Sequence, residues 1–179
     1  MKHLAIAATA GLMLMSTTAF AQEALPFTEA DAVFAVDTPS FVKLATSSNE
    51  FEIQSSELAE EKGQSDHVKE LAAQIIADHT KAAEDLAAAL EEAGEEPPPE
   101  PPVLSPKHEA MIALLEGAEG EEFEMLYIDM QAMAHMEAVY LFHTFADGGD
   151  DETVQAFAAE TLPVLVMHLE HVKEIIASM

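Results

Sequence analysis

The chain has 179 residues, 34 acidic side chains against seven basic ones, a formal net charge of −27 and no cysteine. Such a charge disfavours nucleic acid and anionic membrane surface as partners and leaves cations or an unidentified protein partner compatible. With no disulfide available, packing, or packing plus a metal ion, must hold the fold together.

In chain order, Met1-Lys2-His3 precedes an apolar run from Leu4 to Met15 and then the small-residue pattern Ala19-Phe20-Ala21. This reads as a secretory signal peptide over residues 1–21, cleaved before Gln22, and predicts export. The run is too short to serve as a membrane span, and no later stretch approaches the roughly 20 apolar residues that a span requires. Residues 22–37 have no sustained period and read as an N-terminal leader. Residues 38–179 are the right size for one domain with its own core.

The first helix is predicted to start at Asp37-Thr38-Pro39, where Asp37 or Thr38 caps free amides and Pro39 suits the first turn, and to stop at Gly63. Its inward stripe is Phe41, Leu44, Ala45, Ser48, Ser55 and Ala59, with Glu52 inside it. Ser65 is expected to cap a second helix whose stripe of Val68, Leu71, Ala72, Ile75, Ala82, Leu86 and Leu90 includes His79 and ends at Gly94. Residues 95–104 carry five prolines and are predicted to be an extended crossover between helices. A short helix over 106–116 follows, interrupted by Gly117 and Gly120. The third main helix centres on Glu121–Phe145 with His135 on its apolar face. A fourth is capped by Asp150 or Asp151, contains Pro163 and has His168 at the centre of its stripe. The fold class is therefore all-α, a four-helix bundle with a proline-rich crossover and a short extra helix.

Each main helix thus turns one candidate metal ligand inward: Glu52, His79, His135 and His168. At about 1.5 Å of rise per residue, counted from the turns at Gly63 and Gly148, His79 comes level with His135 and Glu52 with His168. Imidazole and carboxylate groups on facing helices are good ligands for iron, zinc, manganese or copper. Asp78, Glu124, Tyr127, Asp129 and His171 are candidates to support them from a second layer. His143 lies about 80° around the helix from His135, at the edge of the face. His67 and His108, near helix starts, read as surface residues. Met130, Met133 and Met136 around His135, and Met167 before His168, add a thioether option suited to Cu(I), although core packing is the simpler account of methionine in a helix. There is no phosphate loop, nucleophile elbow or anion clamp, so no catalytic residue is identified. The metal-free alternative is a buried hydrogen-bond network among the same four residues, in an interaction or stress protein of the envelope.

The segments Phe51-Glu52-Ile53, Ile76-Ala77-Asp78-His79-Thr80-Lys81, Phe123-Glu124 with Tyr127, and Leu162-Pro163 with His168-Leu169 resemble domain-of-unknown-function family 4142. This is a bacterial exported family, sometimes labelled outer-membrane proteins and grouped with ferritin-like bundles. The resemblance covers roughly Thr38 to Ala177 and implies a ferritin-like four-helix fold in the periplasm or envelope, without a settled activity. Glu124 stands where that family usually has Asp, and Ala83 where Asn is common. The residues three positions before the histidines are Ile76, Ala132 and Leu165, so the paired Glu-x-x-His motifs of di-metal enzymes are missing and a mononuclear or structural site is expected.

Overall fold

The computed structural model describes residues 36–179, so the segment expected to be a signal peptide, 1–21, and nearly all of the expected leader lie outside the described residues. Five helices follow one another: α1 (Thr38–Lys62), α2 (Asp66–Ala93), α3 (Pro106–Gly117), α4 (Gly120–Gly148) and α5 (Glu152–Ser178). No strand occurs among the described residues, and no helix there is long and apolar enough to cross a membrane.

Helix ends follow local chemistry at most points. Asp37 caps α1 by accepting from the Ser40 amide at 2.9 Å, Ser105 caps α3 through the His108 amide, and Asp151 caps α5 through the amides of Thr153 and Val154. Asp150 is used differently: one carboxylate oxygen accepts from both the amide and the hydroxyl of Thr38, tying the start of α1 to the α4–α5 turn. Gly94 ends α2 at φ 74°, a left-handed conformation that favours glycine. At Gly63 the constraint is room, because an added Cβ would lie 2.5 Å from the Ala59 carbonyl oxygen.

The start of α2 departs from expectation. Ser65 makes no capping bond with its side chain; Glu124 of α4 accepts from the amides of Gln64 and Ser65 at 2.7 and 2.6 Å instead. A carboxylate there meets the positive end of the helix dipole. Lys62 does the complementary work at the end of α3. Its ammonium donates to the carbonyls of Leu115, Glu116 and Ala118, pairs with Glu119 at 3.2 Å and sits over the Phe123 ring. Replacing Lys62 by methionine keeps the stem and removes these bonds. The variant is expected to lose about 1.5 to 3 kcal/mol of stability, read as a lower Tm with unchanged metal affinity.

The helices form a ring in which α1 packs on α2 and α4, and α5 packs on α2 and α4. Apolar side chains collect in two clusters. One takes Phe51 and Ala59 of α1, Val68 to Ile75 of α2, Phe123 to Ala134 of α4, Val172 and Ile175 of α5, and the buried face of α3. The other takes Phe41 to Ala45 of α1, Leu86 and Leu90 of α2, Ala138 to Phe145 of α4, and Val154 to Leu165 of α5. Every neighbouring pair in the ring is therefore antiparallel, and α2 runs parallel to α4 across the diagonal. The chain leaving Gly94 must return to the opposite end before α4 starts, and it does so through the non-helical residues 95–105 and then α3.

Several individual expectations are corrected. Leu44 is 50% exposed, because α1 turns Phe41, Val42 and Ala45 inward rather than the 41/44/48 face. His108 is buried where a surface position was expected: α3 lies against α1, and the His108 Nδ1 sits 2.7 Å from Ser47 Oγ while its ring stacks on Phe51. Pro163 lies inside α5 as expected; its ring is exposed and its missing amide leaves the Ala159 carbonyl without its intrahelical donor.

Candidate metal centre

On each main helix the two apolar clusters leave a gap, and on three of the four a histidine falls in it. The clusters break between Ala45 and Phe51 on α1, between Ile75 and Leu86 on α2, between Ala134 and Ala138 on α4, and between Leu165 and Val172 on α5. His79, His135 and His168 fall in the last three gaps, and Glu52 lies beside Phe51 at the edge of the first. Amphipathic periodicity carries all four inward, and all four are buried.

One nitrogen from each of His79, His135 and His168 lies within 4.8 Å of one from each of the others. The rings form a near-equilateral triangle with centroids 5.6, 5.5 and 5.2 Å apart. The opposite nitrogen of each ring has an oxygen partner. His135 Nδ1 is 3.0 Å from the Gln131 carbonyl, His168 Nε2 is 2.9 Å from Asp78 Oδ2, and His79 Nδ1 is 3.0 Å from Asn49 Oδ1. A carbonyl and a carboxylate only accept, so the outer nitrogens of His135 and His168 carry the hydrogens; the amide oxygen of Asn49 imposes the same tautomer on His79. Neutral imidazoles then turn three lone pairs toward one point: Nε2 of His79, Nε2 of His135 and Nδ1 of His168.

Counting protons sharpens the point. The last two of those nitrogens are 3.2 Å apart. Two neutral rings hold two N–H groups, and both are used by Gln131 and Asp78. The short contact between His135 and His168 therefore needs either a third proton or a cation. Burial and mutual repulsion make the proton unfavourable. Desolvation, with the neighbouring His168, lowers His135 to about 4 and, with the other two rings, holds His79 well below the ordinary imidazole value. Burial also lowers His168, opposed by Asp78. A metal cation has no such difficulty, because neutral imidazole is the form that binds it.

Glu52 lies behind His135, its Oε1 3.4 Å from Nδ1, the nitrogen turned away from the other two rings. Neither of its oxygens has a hydrogen-bond partner, and neither has His79 Nε2 or Gln131 Oε1. Burial raises the Glu52 carboxyl well above its ordinary value, and the Gln131 amide beside it offsets only part of that. Replacing Glu52 by glutamine is expected to stabilise the metal-free protein at neutral pH while weakening metal binding about 10- to 100-fold, the usual effect of altering a group that supports a ligating histidine. Chemical denaturation and metal titration of the same variant check the two opposite signs.

The other predicted residues divide. Asp78 supports His168. Glu124 serves the start of α2, and the Tyr127 hydroxyl meets Ser56 Oγ at 2.9 Å, so neither touches the triangle. Asp129 is exposed, and His171 is half-buried beside His168 and raises its positive potential. His67 and His143 are exposed, the latter beside Asp147. Met133, Met136 and Met167 are about half exposed and Met130 packs in an apolar cluster, so no thioether joins the imidazoles. Asn49 and the Gln131 carbonyl were not anticipated. Asn49 stands three residues before Glu52, one turn away on the same face, which is the signal available for it.

No curated protein matches the chain. A crystal structure of a DUF305 fragment from Deinococcus radiodurans is similar to it, with a TM-score of 0.67 and 18% identity, covering 78% of this chain and 94% of that one. At that identity the likeness bears on the helical fold alone. The profile of the family described as "Domain of unknown function (DUF4142)" matches residues 18–175, almost the whole sequence, and the chain belongs to that family.

Proposed function

We propose that this protein is an exported, non-catalytic helical bundle of the periplasm or envelope, ferritin-like in architecture, that binds one transition-metal ion through His79, His135 and His168. The observation that carries this reading is the set of outer hydrogen bonds: each imidazole has one nitrogen tied to an oxygen and presents the other to a shared point. Metal-ligating histidines are held in this way, with the second ring nitrogen fixed by a carboxylate or carbonyl. An all-nitrogen set favours zinc, copper, iron or manganese over calcium and magnesium, which prefer oxygen. Glu52 and Asp78 supply two carboxylates beside the triangle, enough to balance a divalent charge. In this reading Glu52 acts behind His135 rather than as a direct ligand, since the nitrogen it faces is the one turned outward.

The test uses untagged protein, because a histidine tag would mask the result. One equivalent of Co²⁺ is expected to bind per chain and to give the visible absorption of nitrogen coordination, displaced by Zn²⁺ and lost in His79→Ala. A second reading rests on the continuous contact from Gln131 through His135 and His168 to Asp78, which would serve as a metal-free structural network. Under it no nitrogen-coordinated spectrum develops and elemental analysis finds no metal.

A further inference from the structure

A cleft of about 270 Å³ separates α2 from α5 and reaches His79. His79 is the only one of the three imidazoles that lines it. His79 as a residue is 5% exposed, whereas His135 and His168 are fully covered, and its Nε2 is buried without a partner. Phe157 and Leu165 make the apolar wall, while Asp78, Asp85 and Glu160 stand on the polar side. The one cation there, Lys81, is engaged by both oxygens of Asp85 at 2.7 and 2.5 Å. Three carboxylates against one paired ammonium leave the cleft net negative. Asp78 belongs to both places: it lines the cleft and holds His168 Nε2.

We propose that this cleft is the passage by which a divalent transition-metal cation reaches and leaves the three imidazoles. The inference rests on the metal-binding reading above and adds the route. The negative rim draws a hydrated cation to the mouth, and Asp78 is the last carboxylate before the rings. His79 is the first of the three imidazoles met on the way in. Anions are disfavoured along the same path. Phe157 and Leu165 give it an apolar side that offers a cation no ligand.

The full chain without metal is mixed rapidly with Co²⁺, whose absorption separates imidazole coordination from ions held loosely by surface carboxylates, and dissociation is followed by chelator challenge. The exposed pair Asp85→Asn/Glu160→Gln is expected to slow association about 10-fold at low ionic strength, with an effect that disappears in about 1 M salt. Glu121→Gln/Glu122→Gln, of equal charge change at the start of α4, should leave it unchanged. Ala82→Trp, which fills the cleft from α2, is expected to slow association and dissociation by a similar factor while the equilibrium Kd holds. Wild-type rates in Ala82→Trp at native helicity and Kd, or equal slowing by the α4 pair, would overturn the passage and leave the binding site standing. If Ala82→Trp does not fold, the exposed pair decides. Failure of the wild-type protein to bind Co²⁺ at equilibrium overturns both readings, and the Kd alone reports that.

Discussion

Replacing His135 by alanine is expected to remove about 2 to 4 kcal/mol of stability from the metal-free protein and all of the stabilisation that metal adds. His135 is fully buried at the centre of the bundle, so truncation leaves a hole that the surrounding helices fill only in part. It also removes the Nδ1–H that His135 gives to the Gln131 carbonyl at 3.0 Å, inside the buried polar layer. Loss of one such hydrogen bond costs about 0.5 to 1.5 kcal/mol. At roughly 2 to 4 °C per kcal/mol for a chain of this size, the metal-free variant should melt about 5 to 15 °C lower. In wild type, a metal at about 1,000 times its Kd adds about 4 kcal/mol, and the variant should gain nothing from the same addition. His143→Ala, on the same helix but exposed beside Asp147, is the control and should change neither quantity. Thermal unfolding with and without Zn²⁺ reads all four states; a His135→Ala protein that still gains stability from Zn²⁺ would sink the three-imidazole assignment.

The bundle and the inward histidines were legible because both depend on periodicity. A histidine at the centre of an apolar stripe must follow that stripe into the core, wherever the helix packs. Rise per residue also gave the level of His79 against His135, since α2 starts at one turn and α4, parallel to it, ends at the turn on the opposite end of the bundle. It did not give rotation. Glu52 was matched in height with His168, yet its carboxylate faces His135, because which neighbour a side chain meets depends on how each helix is turned about its own axis. The same uncertainty of turn misplaced Leu44 and hid Asn49.

Long-range polar partners were less legible still. Glu124 caps a helix that begins 58 residues earlier, and Lys62 finishes one that ends 55 residues later, with nothing in the intervening sequence to mark either pairing. Ser65 does stand at the N-cap position, but its side chain makes no capping bond, and its own amide and that of Gln64 are held by Glu124 from across the bundle. His108 was misread because a short helix near a proline-rich link reads as surface, whereas Ser47 and Phe51 on α1 supply both a polar partner and an aromatic face for it.

The polar layer also predicts how stability depends on pH, and its members pull in opposite directions. In the folded metal-free protein His135 titrates near 4, against an ordinary value of 6.5 for the unfolded chain. Between those values the unfolded chain takes up a proton that the folded one refuses. Stability is therefore fully present above about pH 6.5 and is lost as the pH falls, and a shift of this size corresponds to about 3 kcal/mol by pH 4. His79 and His168, also lowered by burial, add in the same direction. Glu52 has the opposite sign. Its folded value is raised, so its contribution is fully present below the ordinary carboxyl range and is lost as the pH rises through the folded value. The imidazoles therefore weaken the metal-free fold as the pH falls below 6.5, and the carboxyl weakens it as the pH rises through its folded value. Surface carboxylates change repulsion over the same range, but they cancel between wild type and a single buried variant. Measured by urea denaturation, the difference between wild type and His135→Ala should therefore shrink by about 3 kcal/mol from pH 7 to pH 4, whereas the advantage of Glu52→Gln over wild type should grow as the pH rises. Metal reverses the balance at the alkaline end: it requires neutral imidazoles and favours an ionised Glu52, so the gap between metal-bound and metal-free stability should widen with pH. A difference between wild type and His135→Ala that stays constant over this range would mean that the layer holds its protons as an exposed site does, and that the burial argument for the imidazoles is wrong.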